Sequence, residues 1–213
     1  MKLEERYEGV LGYWQREMPE ADTELHYRNE YELLVAVMLS AQCTDKRVNI
    51  VTPALFEKYP TVRDMAKAEV GDIYEKIKSV SYPNAKSQHL RAMAEIVVER
   101  FGGEIPRTRE ELESLPGVGR KTANVMLIVA FGQPAMPVDT HVQRVANRIG
   151  LVRNTKTPRQ TEDQLVKHIP PELLNKAHHW LILHGRYVCK ALKPMCQKCG
   201  IRAYCATDKK KKE

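Results

Sequence analysis

Leu115-Pro116-Gly117-Val118-Gly119-Arg120-Lys121-Thr122-Ala123-Asn124 lies between two helical patterns and decides how the chain is read. Upstream, Glu110, Glu111, Leu112 and Leu115 suit a short helix. Downstream, Val125, Met126, Ile128, Val129 and Ala130 suit a buried one. A proline and two glycines between such segments predict a tight helix-to-helix turn. Two nucleotide-binding motifs fail on this stretch. A phosphate loop needs glycine where Ser114 stands and lysine where Arg120 stands. The dinucleotide pattern needs a third glycine at Thr122 and a strand before the turn.

What remains is a turn whose glycines let the backbone approach a partner closely. Its N–H groups point outward at a helix start, where a phosphate is well received. A helix-hairpin-helix of this kind holds a nucleic-acid backbone without reading base sequence. Leu115, Gly117, Val118, Gly119 and Arg120 are then the hairpin residues expected at DNA. A plain helix-helix connection has similar composition, so the turn alone leaves both readings open.

Lys121 adds chemistry to the turn. It falls in the first turn of the downstream helix, where the positive end of the dipole disfavours another cation. Only about one free lysine in a thousand is neutral at neutral pH. The helix terminus and desolvation both push its pKa down, as an amine nucleophile needs; pairing with a phosphate is the competing role. Further on, Pro137-Val138-Asp139-Thr140-His141 introduces a helix with apolar Val142, Val145 and Ile149. Asp139 suits an N-cap. A carboxylate raises a neighbouring lysine's pKa, so any chemical role for Asp139 is to stabilise a developing cationic sugar or to relay protons.

Outward from the hairpin, nearly every stretch carries helical spacing, and an all-α protein of about ten short helices is expected. Tyr31, Leu33, Leu34, Val37, Met38 and Ala41 share one face, and Thr44 supplies a cap for the next helix. Apolar runs such as Leu33 to Leu39 are too short to span a bilayer. Glu4, Glu5 and Glu8 behind Lys2 do not form a secretory leader. Five cysteines make an odd count, poorly spread for disulfides, which points to a reducing cytoplasm.

The formal charge of +7 is localised. Residues 186–213 hold nine basic side chains against two acidic ones, while the preceding 185 residues hold 25 of each. Lys209 to Lys212 read as a solvated end. Lys190, Lys193, Lys198 and Arg202 instead lie among four cysteines, Cys189, Cys196, Cys199 and Cys205, spaced C-x6-C-x2-C-x5-C. That spacing matches neither paired zinc-ribbon knuckles nor the bacterial ferredoxin run. Four thiolates in one short loop suit a single [4Fe–4S] cluster, whose negative charge the basic residues offset while facing an anionic partner. Cys43 reads as a small packed side chain on an apolar helix. His178, His179 and His184, beside Trp180 and Leu183, read as structural hydrogen-bonding groups rather than a metal set.

Together these pieces resemble the endonuclease III family, bifunctional DNA glycosylases of base-excision repair. The blocks carrying the likeness are Leu39-Ser40-Ala41-Gln42, residues 115–124, Val138-Asp139-Thr140-His141, and His178 through Tyr187 leading into the cysteines. The resemblance implies a two-lobed all-α fold with DNA in the cleft. A six-helix domain would span 23–134, and an iron–sulfur domain 1–22 with 135–213. It implies that Lys121 attacks C1′ of a damaged nucleotide, that Asp139 assists, and that the resulting Schiff base permits β-elimination 3′ to the lesion. It also implies that Gln42 enters the gap left by the flipped nucleotide. Where the family has a Gly-Leu-Tyr-like wedge turn, this chain has Ser81-Tyr82-Pro83-Asn84, which leaves two readings: Tyr82 stacks on a base in the wedge's place, or Pro83 shapes the turn differently. Lys190 and Lys193 join the expected DNA contacts.

An adenine-mismatch glycosylase shares fold and cluster, but Lys121 and the missing long C-terminal domain argue against it. A non-catalytic DNA-binding module and a cluster-based redox carrier are the readings from other classes. The expected partner is damaged duplex DNA, gripped by a monomer, with no membrane and no nucleotide cofactor.

Overall fold

The computed structural model describes residues 1–207. The run from Lys209 to Lys212 lies outside the described residues. Among those described, all regular structure is helical, and the chain gathers into two compact units: Glu24–Gln133, and Met1–Thr23 together with the chain from Pro134 onward.

The first unit is built around α2 (Glu30–Ser40), whose residues Tyr31 to Leu39 are all buried. A helix apolar on every side belongs in the middle of a core. Asn29 starts it by accepting from Glu32 N. Around it lie α3 (Asp45–Lys58), α4 (Val62–Ala66), α5 (Val70–Ile77) and α6 (Pro83–Phe101). Thr44 caps α3 through Arg47 N, as expected from sequence. Short α4 is sustained by a capping box between Thr61 and Asp64 and packs on α6. Then come α7 (Arg109–Glu113) and α8 (Arg120–Val125), which continues into a π-helical turn at Met126–Ala130. The unit has seven α-helical segments, two of them only five residues long. α2 ends at Ser40, so Ala41 is its C-cap and Cys43 sits half-buried in the loop beyond it. The placement of Cys43 on the helix is corrected accordingly: the apolar run gives out before it.

The second unit is made of chain ends. Its helices are α1 (Leu3–Glu17), α9 (Thr140–Ile149), α10 (Pro158–His168) and α11 (Leu174–Tyr187), followed by two 3-10 turns at Cys196–Lys198 and Arg202–Tyr204. Arg6 on α1 donates to Tyr204 O and Gly150 O, and Tyr7 donates to Leu151 O. Trp14 and Trp180, both fully buried, lie with ring centroids 6.3 Å apart, and Trp180 donates to Met18 O. Burying side chains of this size contributes roughly 2–3 kcal/mol each, which ties α1 to α11 across most of the sequence.

Candidate active site and cysteine loop

The hairpin is rigid because both its helices are pinned. Thr108 caps α7 through Glu111 N, and Leu112, Leu115 and Val118 are buried. Arg109 on α7 donates from Nε to Asn124 Oδ1 on α8 at 3.0 Å, and Asn124 is fully buried. Sequence patterning did not single out this pair, since neither residue breaks the helical pattern. Gly117 takes φ +77, and a Cβ there would lie 2.9 Å from His89 Cβ and 3.0 Å from Met38 Cε. The turn thus needs glycine for both conformation and space. Gly119, extended at φ −96, is the N-cap residue of α8 and supplies no side chain. Since Leu115 and Val118 face inward, the hairpin offers backbone to a partner at these positions. Arg120 and Lys121 follow in the first turn, each half-buried. The π-helical turn directly after α8 is a local departure of a kind often found near functional sites.

Beside the hairpin, an open cavity of about 230 Å³ is lined by Met38, Ala41, Gln42, Tyr82, Ala85, Lys86, His89 and Gly117. Gln42 and Tyr82, 40 positions apart in sequence, therefore meet the hairpin glycine at one place. Both adopt left-handed backbone, Gln42 at φ 54 and Tyr82 at φ 56. Such a conformation costs a non-glycine residue on the order of 1 kcal/mol and marks positions held by their surroundings. Pro83 opens α6 directly after Tyr82, and the Tyr82 side chain projects outward, 65% exposed. Lys86 and His89 line the same cavity and were not anticipated.

In the second unit, Asp139 is the N-cap of α9, its Oδ1 accepting from Val142 N at 2.8 Å. The carboxylate is half-exposed, so the cap engages one oxygen and leaves the group accessible. The preceding segment is held by His178, fully buried on α11, whose Nδ1 donates to Pro137 O at 3.0 Å. His179 lies with Nε2 3.5 Å from Asp22 Oδ1, yet burial outweighs that carboxylate and pushes its pKa down to about 4. Burial does the same for His184, also to about 4. His179 and His184 are neutral, buried packing groups and His178 is a buried hydrogen-bond donor, a structural role that their setting in the sequence suggested.

Cys189, Cys196, Cys199 and Cys205 all line one small apolar cavity, otherwise walled mainly by Ile149, Val188, Pro194, Met195 and Ile201. Arg148 donates from Nη1 toward Cys189 Sγ at 3.7 Å and to Lys190 O at 2.7 Å. His184 Nε2 lies 3.7 Å from Cys199 Sγ. Gly9 on α1 admits the Tyr204 ring, since a Cβ there would come within 2.2 Å of it. Burial pushes the Cys199 thiol up, so a thiolate at that position calls for a cation. Among the described residues, no three His, Cys, Asp or Glu side chains converge on a site for a single metal ion. Four cysteines lining one apolar cavity, with Arg148 near Cys189 and His184 near Cys199, form a donor set whose chemistry suits a sulfur-ligated group. Lys190 and Lys193 are exposed on the same loop.

The pattern of the HhH-GPD superfamily base excision DNA repair proteins matches residues 35–171. The chain is 47% identical over 196 residues to endonuclease III of Rickettsia felis, covering 92% of each. It is 44% identical over 193 residues to that of Bacillus subtilis, covering 91% of this chain and 88% of the relative. A solved structure of a trapped endonuclease III–DNA covalent intermediate superimposes with a TM-score of 0.93 at 42% identity, covering all of both chains. The chain belongs to the HhH-GPD superfamily of base excision DNA repair proteins and, within it, to the endonuclease III family.

Proposed function

We propose that this base-excision-repair DNA glycosylase removes oxidised or otherwise damaged pyrimidines from duplex DNA through Lys121. The observation that carries the reading is Lys121 in the first turn of α8, directly after the Gly117 and Gly119 turn. It is supported by the 42% identity, along the whole chain, to an endonuclease III trapped as a covalent intermediate with DNA. The amine attacks C1′ of the flipped nucleotide and the C1′–N bond breaks, the base leaving with the bonding pair and taking up a proton. Loss of the amine proton and opening of the sugar give a Schiff base between Nζ and C1′. That cation acidifies the C2′ hydrogen, and its removal expels the 3′ phosphate by β-elimination. Water then releases Lys121 from the unsaturated sugar fragment.

Asp139 stabilises positive charge at the sugar or moves protons during these steps. The hairpin backbone from Leu115 to Gly119, with Arg120, holds phosphate, and Lys190 and Lys193 add phosphate contacts. Gln42 and Tyr82 fill and buttress the space left by the extruded nucleotide. Cys189, Cys196, Cys199 and Cys205 would hold a [4Fe–4S] cluster. When bound, it supplies a fold for the 189–205 loop rather than a reaction step. The protein works as a monomer on bacterial cytoplasmic DNA.

A duplex with one abasic site and a 5′ label tests the lyase step. The wild-type chain should leave a 3′ unsaturated aldehyde end, and Lys121→Ala should leave the strand intact while still binding it. Equal nicking by both would assign the chemistry elsewhere. Binding by both with nicking by neither would favour a non-catalytic DNA-binding module.

A further inference from the structure

The loop that carries Gln42 is held in place from α6. α2 has no basic residue in its own last turn, where carbonyl groups accumulate partial negative charge. Lys86, only 9% exposed, supplies the cation from a neighbouring helix: its Nζ donates to Leu39 O at 2.7 Å and to Ala41 O at 2.7 Å. Ser81, one residue before Tyr82, donates from Oγ to Gln42 O at 2.7 Å. Three carbonyls between positions 39 and 42 are therefore bound by the segment that presents Tyr82. Burial lowers the pKa of Lys86 and is the largest influence on it, with Cys43 opposing. A long, flexible side chain held this way has lost its rotamer freedom and much of its hydration. A cap for α2 alone would need neither the Ser81 bond nor two left-handed non-glycine residues facing one cavity.

We propose that Lys86 and Ser81 are positioning residues that lock the Gln42 loop and the Tyr82 turn into one probe, so that both enter the DNA together when a nucleotide is extruded. The inference rests on the reading of Gln42 and Tyr82 given above. Neither Lys86 nor Ser81 touches the reacting atoms. Their effect runs through the conformation of Gln42, so it belongs to the step in which the lesion leaves the stack and not to the grip on phosphate.

A double-mutant cycle tests this with the full chain and a duplex containing one oxidised thymine. Lys86→Met keeps the stem length and removes the ammonium. It should slow single-turnover base release about tenfold, a loss in the range set by misplacing a contact group. Affinity for an undamaged duplex should stay within about twofold. Gln42→Ala should slow release similarly, and Lys86→Met added to it should cost no more than about a further twofold. Full multiplication of the two losses would overturn the coupling while leaving the role of Gln42 intact. So would wild-type release by Lys86→Met, or an equal loss on undamaged DNA. If Gln42→Ala alone releases base at the wild-type rate, the underlying reading of Gln42 fails and the proposal falls with it. Should Lys86→Met fail to show a cooperative melt, Ser81→Ala takes its place in the same cycle with the same outcomes.

Discussion

At Gly117, conformation and space coincide, which makes it the most sensitive single position of the hairpin. Alanine there meets φ +77 together with contacts of 2.9 and 3.0 Å from two side chains. Gly117→Ala should cost about 1–3 kcal/mol of stability, seen as a lower midpoint in urea unfolding. Asp139 permits a cleaner separation of architecture from chemistry. Asparagine caps helices as well as aspartate does, so Asp139→Asn should keep its bond to Val142 N and its melting temperature. Losing the carboxylate should still slow base release by about a hundredfold or more. Asp139→Ala should show the same kinetic loss plus about 1 kcal/mol of destabilisation. If Asp139→Asn releases base at the wild-type rate, the residue is a cap and nothing else. Residues of this kind were legible beforehand because glycine at a turn and aspartate before a helix have few other uses. Arg109, Asn124 and Lys86 were not, since each sits in an ordinary helical pattern and its partner is distant in sequence.

Among the elements, the cysteine loop from 189 to 205 has two single-turn 3-10 segments and few buried apolar side chains of its own. The loop is held by Arg6 at Tyr204 O, by Arg144 and Arg148 at the carbonyls of 189–191, by the packing of Tyr204 on α1, and by what its four sulfurs bind. Cys199→Ser is therefore expected to lose iron and visible absorbance together, and to expose the loop to proteolysis between α11 and Tyr204. A variant that keeps both its iron content and its protease resistance would show that the four sulfurs do not act as one ligand set. Spacing made the cysteines conspicuous, whereas the supporting Arg148 and His184 came from helices whose sequence gives no hint of the loop. The end of α2 was harder still. Apolar periodicity runs as far as Ala41, but the helix stops at Ser40 because Ala41 leaves the helical region at ψ 114, ahead of the left-handed Gln42. Periodicity reports which face is buried and is silent about where a partner segment intercepts the carbonyls.

For the whole molecule, the buried neutral His179 couples stability to acid pH. The folded pKa of His179, about 4, lies below the roughly 6.5 of an unfolded histidine. Between those values the unfolded chain binds more protons, so stability falls as pH drops through that window. From pH 7 to pH 5 this single group should remove about 2 kcal/mol. His179→Gln should flatten the corresponding part of a pH series of urea midpoints, and an unchanged series would contradict the buried neutral state. The charge distribution has a separate consequence. With 25 basic and 25 acidic residues in the first 185 and the basic excess after them, binding to undamaged duplex should rest mainly on local phosphate contacts and weaken as salt rises. The central claim, that the Lys121 amine becomes covalently bonded to DNA, is tested most directly by borohydride reduction during turnover on a duplex with one oxidised pyrimidine, followed by peptide mass mapping. The account predicts a stable protein–DNA adduct at Lys121, absent in Lys121→Ala although that variant still binds the duplex. No adduct with either the lesion or an abasic site, or an adduct mapped to another amine, would contradict it.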